Sequence, residues 1–394
     1  MTMSVPSVGG GFEGILSEDG RRIEGTWSQG ANTFPLAVDK TDELPEPDRP
    51  QRPVEPFPYS STDVSFPNTR AGIELAGTIT TPEGAGPHPA VVLISGSGPQ
   101  NRNSTLSGHD IFWVLADHLT RNGIAVLRYD DRGVGRSGGS FKEATSEDFA
   151  SDAQAAVEFL GSHPEVDGAR IGLVGHSEGG LIAPMVATRV DDLAFVVLLA
   201  GPGLRGDEIL YLQGELIMTA NGAPRRLIEK NRTAQEALYR AVREEPDAKA
   251  VRAQLLEVFE EFVGSLTSRE RAMLGMSGDL QQVIDAQIAT VTSPWYRFFL
   301  DYDPAPALRR LRAPVLALNG AKDLQVPPQQ NLEAIEGALN AGGNEDVTVR
   351  ELAGLNHLFQ TARTGAPSEY GDIEETFAPV ALSTITDWIL ARSK

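Results

Sequence analysis

The sequence predicts an α/β chain: a mostly parallel central sheet with helices on both faces, a helical cap insertion and a small β-rich N-terminal extension. Three observations predict it. Short apolar, β-branched runs recur along the chain and alternate with amphipathic stretches, the pattern of repeated β-α units. One break in that pattern, 203–294, is charged, rich in Leu, Glu, Arg and Ala, and helical in period. Six prolines between 45 and 58 separate the pattern from a leading segment with strand-like runs.

Taken in order, Phe12–Leu16 and Ile23–Trp27 flank Asp19-Gly20, a hairpin signal. The proline stretch can form neither a helix nor a central strand, so it reads as an extended linker. Residues 59–80 read as two antiparallel strands joined around Asn68. Ala90–Ile94 is short and wholly apolar, which fits a buried strand. Asp110–Arg121 is an amphipathic helix stopped by Asn122-Gly123. Ile124–Arg128 is a second buried strand, and Ser146–Leu160 a helix with acids in its first turn. Arg170–Val174, Phe195–Leu199, Pro314–Leu318 and Val347–Leu352 continue the strands. The expected parts are 1–58, 59–202, 203–294 as the insertion, and 295–394.

Composition narrows the function classes. With 394 residues and 41% apolar content, the chain suits one large α/β domain with insertions. It has no cysteine, which excludes disulfides, thiolate zinc sites and a Cys nucleophile. A net charge of −20 disfavours nucleic acid and anionic membrane surfaces as partners. No apolar run is long enough to span a bilayer, and Met1–Gly11 lacks the features of a secretory signal. The default expectation is therefore cytoplasmic.

The strongest motif is Gly175-His176-Ser177-Glu178-Gly179, a G-x-S-x-G between the apolar run 171–174 and the helix-like stretch Leu181–Thr188. Strand, turn and helix are the context of a nucleophile elbow, in which glycines relieve a tight turn and the serine hydroxyl is lifted into the open. The structural alternative is a glycine-rich strand–helix turn without chemistry. A serine hydroxyl needs a base. Of six histidines only His357 follows Ser177, in the order Ser, acid, His that this arrangement takes. The acid expected to orient that imidazole is Asp323, in the loop after the strand at 314–318; Asp301 and Asp303 are the runners-up. Two N–H groups should face the developing oxyanion: that of Glu178, and that of Ser97 in Ser95-Gly-Ser-Gly-Pro99.

Gly133-x-Gly135-x-x-Gly138 formally matches a dinucleotide fingerprint, but the next helix begins only near Ser146, so a tight loop beside the site is the better reading. Asp131 and Arg132 either order that loop or form a surface ion pair. No metal or cofactor motif appears, and neither is expected.

These motifs resemble the bacterial α/β-hydrolase esterases related to serine aminopeptidases and dienelactone hydrolases. The resemblance covers roughly 60–392. It rests on Ser95–Asn103, Arg128–Ser137, Gly175–Gly180, Lys322–Val326 and Leu355–Gln360. It implies Ser177, Asp323 and His357 as a triad and short-chain acyl esters as substrates. Ser95 stands where such loops often begin with His, and Gln100-Asn101-Arg102-Asn103 lacks a carboxylate that the group often carries there. The segment with Gly25-Thr-Trp-Ser-Gln-Gly30 is similar to an extension of some exported relatives, which leaves export open.

The expected function is a carboxylesterase acting on a small-molecule ester through an acyl-enzyme. The insertion should cap the site and set acyl preference through Leu210, Leu216, Ile217 and Met218, with Trp295 and Phe298 where the chain re-enters the sheet. Rival readings are a serine peptidase, an acyl thioesterase, a lipase, or a non-catalytic binding module on the same fold. The oligomeric state is left open, a homo-oligomer included.

Overall fold

The computed structural model describes residues 1–5, 10–29, 32–41, 48–245, 247–276 and 280–393. Residues 45–47 of the proline-rich stretch and 277–279 of the insertion lie outside them. The chain forms two compact units, 1–47 with 266–278, and 48–265 with 279–394.

In the first unit, strands β1 (Thr2–Val5), β2 (Gly10–Leu16), β3 (Arg22–Gln29) and β4 (Asn32–Asp39) pair in sequence order as an antiparallel sheet. The turn at Asp19-Gly20 joins β2 to β3, with Leu16 opposite Ile23 and Gly20 at φ +70°. The left-handed conformation there suits glycine, which has no Cβ to clash. Phe12 faces Trp27, and Trp27 faces Phe34, so aromatic pairs bind three of the strands.

The second unit is built on eight strands: β5 (Tyr59–Asn68), β6 (Ile73–Pro82), β7 (His88–Ile94), β10 (Ala125–Tyr129), β11 (Val166–His176), β12 (Phe195–Leu199), β13 (Val315–Gly320) and β14 (Val347–Leu352). Their order is β14-β13-β12-β11-β7-β10-β6-β5. The six from β7 to β14 in that sheet run parallel, and β5 and β6 complete one edge antiparallel. The short strands β8 (Thr105–Leu106) and β9 (His109–Asp110) form a separate ribbon that sequence pattern does not reveal.

Strand β7 shows why both faces are covered. Its side chains alternate between two cores: Ala90, Val92 and Ile94 in one, Val91 and Leu93 in the other. The first core holds α2 (Ser146–Ser162), α3 (Glu178–Ala187) and α11 (Pro328–Ala341); the second holds α1 (Ile111–Arg121) and α12 (Pro379–Arg392). A parallel sheet buried on both sides needs continuous apolar runs, which is what AVVLI at 90–94 supplies.

Between β12 and β13 come α4 (Gly206–Ala220), α5 (Arg225–Glu244), α6 (Ala248–Ser265), α7 (Ser268–Met273), α8 (Leu280–Val291), α9 (Pro294–Asp301) and α10 (Ala305–Arg310). Leu238 and Val242 of α5, Val251, Leu255 and Phe259 of α6, Ile284 and Ile288 of α8, and Tyr296 and Leu300 of α9 share a third core. The spacing of four residues places each set on one helix face.

Two placements differ from the sequence expectation. Residues 48–58 are no free linker. The Arg49 guanidinium donates to the carbonyls of Ile373 (2.6 Å) and Gly371 (2.9 Å), Gln51 to that of Phe377 (2.7 Å), and Arg52 to the Asp110 carboxylate (2.9 Å). Proline denies this stretch regular structure but leaves the long side chains between prolines free to bond the core. Residues 266–278, within the expected insertion, belong instead to the first unit. No described helix is long and apolar enough to cross a membrane.

Candidate active site

Ser177 sits between β11 and α3 with φ +55° and ψ −121°, a backbone conformation that side chains rarely adopt. The surroundings hold it there. Its N–H donates to the Leu199 carbonyl at 2.8 Å, and its carbonyl accepts from the Gly180 N–H at 2.8 Å. A Cβ on Gly175 would collide with the Gly179 carbonyl, and one on Gly179 with the Ile94 carbonyl. Both glycines of the motif are therefore steric requirements of a strand turning directly into a helix.

The loop after β13 carries Asp323 and the loop after β14 carries His357. Asp323 Oδ2 lies 2.8 Å from His357 Nδ1, and both side chains are buried. A carboxylate oxygen accepts, so Nδ1 is the donor, and in the neutral imidazole Nε2 is the nitrogen with the free lone pair. The other oxygen, Oδ1, accepts from the N–H groups of Gln325 (2.8 Å) and Val326 (2.9 Å), which fixes the carboxylate plane. Neither runner-up acid is part of this arrangement. Asp301 pairs with Arg243 at 2.5 Å, and exposed Asp303 accepts from the Ala305 N–H at 2.9 Å.

His176 supports the histidine from below. The two rings lie 4.9 Å apart, and His176 Nε2 donates to the His357 carbonyl at 2.9 Å. Burial pushes His176 down to about 3, so its ring is neutral at any ordinary pH. Sequence reading passed over it as a variable position of the motif.

The loop 95–100 reaches the serine closely: a Cβ on Gly96 would stand 3.0 Å from Ser177 Cβ. Asp131 holds both ends of this loop, accepting from Ser95 Oγ at 2.7 Å and the Gln100 N–H at 2.8 Å. Ser95 thus bonds a buried carboxylate. Asp131 and Arg132 do not pair with each other. Arg132 is buried too and donates to Asp152 at 2.7 and 2.8 Å, so both residues order loops rather than decorate the surface. In the run 100–103, Arg102 forks onto Asp130 at 2.7 and 3.1 Å, and Asn103 accepts from buried Arg128. Gly133 and Gly138 close a tight loop through a 2.9 Å backbone bond.

The N–H groups of Ser97 and Glu178 donate to no other group among the described residues. Both residues line a cavity of about 230 Å³ together with Ser177 and His357. Its apolar wall comes from Ile209 and Leu210 of α4, Trp295 and Phe299 of α9, and Ile111 and Val326; Gln100, Gln213 and Gln325 supply neutral amides. Trp295 and Leu210 are where the sequence expected them. Leu216, Ile217, Met218 and Phe298 are not on this wall. Helix α4 meets the cavity through Ile209, Leu210 and Gln213, and residues 216–218 lie about 9–12 Å beyond Leu210 along its axis, at 1.5 Å per residue. Phe298 turns away and stacks on Tyr302 with 5.3 Å between centroids.

The Glu178 carboxylate is a further feature that sequence reading did not register. It is buried, and Oε1 accepts from Ser146 Oγ at 2.6 Å and Trp295 Nε1 at 2.8 Å. Burial raises its pKa, and hydrogen bonds from Ser146, Trp295 and Ser97 oppose the shift. Among the described residues no cluster of three or more His, Asp or Glu could hold a metal ion.

A mostly parallel sheet that delivers a strained serine and a histidine from its strand ends to one cavity, with an acid from a neighbouring strand end behind the histidine, defines an α/β-hydrolase. The crystal structure of the α/β-hydrolase GrgF from Penicillium sp. sh18 has the same fold, with TM-score 0.50 and 16% identity over 85% of this chain and 99% of that one. The chain belongs to the X-Pro dipeptidyl-peptidase (S15) family, whose model matches residues 71–349. It is 27% identical to Esterase EstD of Thermotoga maritima over 318 residues, 80% of this chain and 64% of that protein. An uncharacterized protein of Mycobacterium tuberculosis is 32% identical over 130 residues, 33% of this chain and 42% of that protein. The chain thus spans less than two thirds of the length of these relatives.

Proposed function

We propose that this protein is a serine carboxylesterase that hydrolyses short-chain acyl esters. The observation that carries the reading is the buried His357–Asp323 pair, 2.8 Å long, beside the strained Ser177 on the wall of one cavity. His357 Nε2 takes the Ser177 proton as Oγ attacks the ester carbonyl. Asp323 stabilises the imidazolium without taking its proton. The N–H groups of Glu178 and Ser97 bind the tetrahedral oxyanion, and one such donor is worth roughly 10²–10³ in turnover. His357 then protonates the departing alcohol, leaving an acyl-Ser177 ester. Water, deprotonated by the same histidine, releases the acid and restores the serine.

The likeness to Esterase EstD supports an ester substrate. The family model supports a second reading, an X-Pro dipeptidyl-peptidase. A peptidase that counts residues from a free amino end needs an anion for the ammonium group. Among the described residues lining the cavity the one carboxylate is Glu178, and its Oε1 already accepts two donors. Neutral amides and apolar rings favour an uncharged substrate instead. A panel of nitrophenyl esters of increasing acyl length, run beside an X-Pro nitroanilide, separates the two. Ester turnover with an idle nitroanilide is expected; the reverse would establish the peptidase.

A further inference from the structure

Glu178 offers its backbone N–H to the cavity, while its side chain points the other way into a buried polar junction. That junction joins three elements. Ser146 begins α2, Trp295 lies in α9 at the end of the insertion, and Ser97 belongs to the loop that faces Ser177. Among the described residues no cation bonds the Glu178 carboxyl itself: the acids Asp131 and Asp152, the latter held by Arg132, share with Glu178, Ser95 and Gly96 a hollow of about 10 Å³. A buried carboxylate without a cation is costly to maintain, so its hydrogen bonds are its means of stabilisation.

Trp295 is tied as firmly on its other side. Its ring stacks on Phe299 at 5.3 Å with an interplanar angle of 19°, and both rings line the cavity. The next residue, Tyr296, bonds the Tyr239 hydroxyl of α5 at 3.1 Å, and Arg297 donates to the Val242 carbonyl of α5 at 2.5 Å. A continuous set of bonds therefore runs from α5 through α9 and Trp295 to the residue that follows the serine.

We infer that Trp295 and Glu178 are positioning residues that couple the helical insertion to the oxyanion-binding N–H of Glu178, so that seating of α9 over the cavity and alignment of that donor are one event. The inference rests on the esterase reading and deepens it, because the insertion then governs turnover as well as binding. Tryptophan is suited to this place. It presents an apolar face to substrate and a single donor to the carboxylate. A phenylalanine keeps the face and loses the donor.

The test compares Trp295→Phe with Phe299→Leu in the full-length protein, on one short nitrophenyl ester. Binding of a trifluoromethyl ketone, which forms a tetrahedral oxyanion on the serine, is measured alongside. Trp295→Phe removes one hydrogen bond to the buried Glu178 carboxyl and leaves Oε1 a donor short, so kcat and ketone affinity should both fall roughly tenfold to a hundredfold with KM nearly unchanged. Phe299→Leu alters the wall alone and should raise KM with kcat nearly unchanged. Glu178→Gln keeps an acceptor for Trp295 and Ser146, so it should fold and retain more activity than Trp295→Phe. If Trp295→Phe shifts KM alone, as Phe299→Leu does, Trp295 is only wall and the coupling is wrong. Failure of the esterase reading is distinguishable, since it shows in the wild-type protein as neither ester turnover nor ketone binding and removes the inference with it.

Discussion

His357 Nδ1 and Asp323 Oδ2 lie 2.8 Å apart although 34 residues separate them in sequence. The parallel pairing of β13 with β14 brings them together, since the loops that follow adjacent parallel strands emerge at the same sheet edge. With Oδ1 occupied by two backbone N–H groups, Oδ2 has one orientation to offer the imidazole. Asp323→Asn should preserve the loop but present the wrong hydrogen-bonding partner to Nδ1. Turnover of a nitrophenyl ester is expected to drop by about 10⁴, as in a serine protease so altered. Asp301→Asn and Asp303→Asn should leave it unchanged.

Ser177→Ala should abolish turnover, by on the order of 10⁶ on protease precedent, while thermal unfolding remains cooperative. Mass spectrometry after treatment with a fluorophosphonate should find the label on the peptide containing Ser177. Label on another serine would remove Ser177 from the reaction.

Gly179→Ala tests the geometry of the elbow rather than its chemistry. The added methyl would meet the carbonyl of Ile94, a backbone atom of central strand β7, and that of Ser95 just after it, neither of which can swing aside. Overpacking of this kind costs about 1–3 kcal/mol or more, so the urea midpoint should fall and activity with it. A variant of unchanged midpoint and full activity would show that the turn is looser than the structure has it.

Acyl-chain preference should follow the wall that the first turns of α4 supply. Ile209→Ala and Leu210→Ala enlarge the cavity beside Ser177 and should move the best acyl length upward by one or two methylenes, each worth roughly 0.8 kcal/mol when buried. Leu216→Ala and Ile217→Ala should leave the profile of specificity constant against acyl length where it was. A shift in the second pair but not the first would return the acyl pocket to the middle of the helix.

Asp131 should leave a mark on stability as pH changes. Burial raises its carboxyl from 3.8 to about 7, with Glu178 and Asp152 adding like charge. Between those values the folded chain holds a proton that the unfolded chain has released, so this group makes stability fall as pH rises and imposes its full penalty above about 7. Asp131→Asn stays neutral throughout. Its unfolding free energy relative to wild type, from urea titrations between about pH 4 and 8, should therefore increase with pH. A difference that is flat in pH would mean that Asp131 is ionised across the whole range.

The local parts of the site were legible because their causes are local. Gly175, Ser177 and Gly179 lie within five residues, and the steric demand of the turn is written in their spacing. His357 followed from chain order and from the scarcity of histidine. The runs at 90–94, 195–199 and 314–318 read as buried strands because a parallel sheet covered on both faces leaves no position for polar side chains. Even the hairpin at Asp19-Gly20 needed only the left-handed preference of glycine.

Tertiary structure decided what periodicity cannot carry. An amphipathic pattern shows that α4 has an apolar face, but not that its first turns rather than residues 216–218 reach the cavity; that depends on where the helix enters. Trp295 meets Glu178 across 117 residues, and neither side chain announces the other, because a hydrogen bond between distant elements leaves no spacing in sequence. Asp131 and Arg132 stand side by side in the chain, in the loop after β10, and bond different partners, Ser95 and Asp152. Sequence alone thus determined the fold and singled out the serine, acid and histidine that the structure brings to one edge of the sheet. The packing of the insertion against the sheet decided what surrounds them, because that depends on contacts between segments whose separation along the chain encodes nothing about their distance in space.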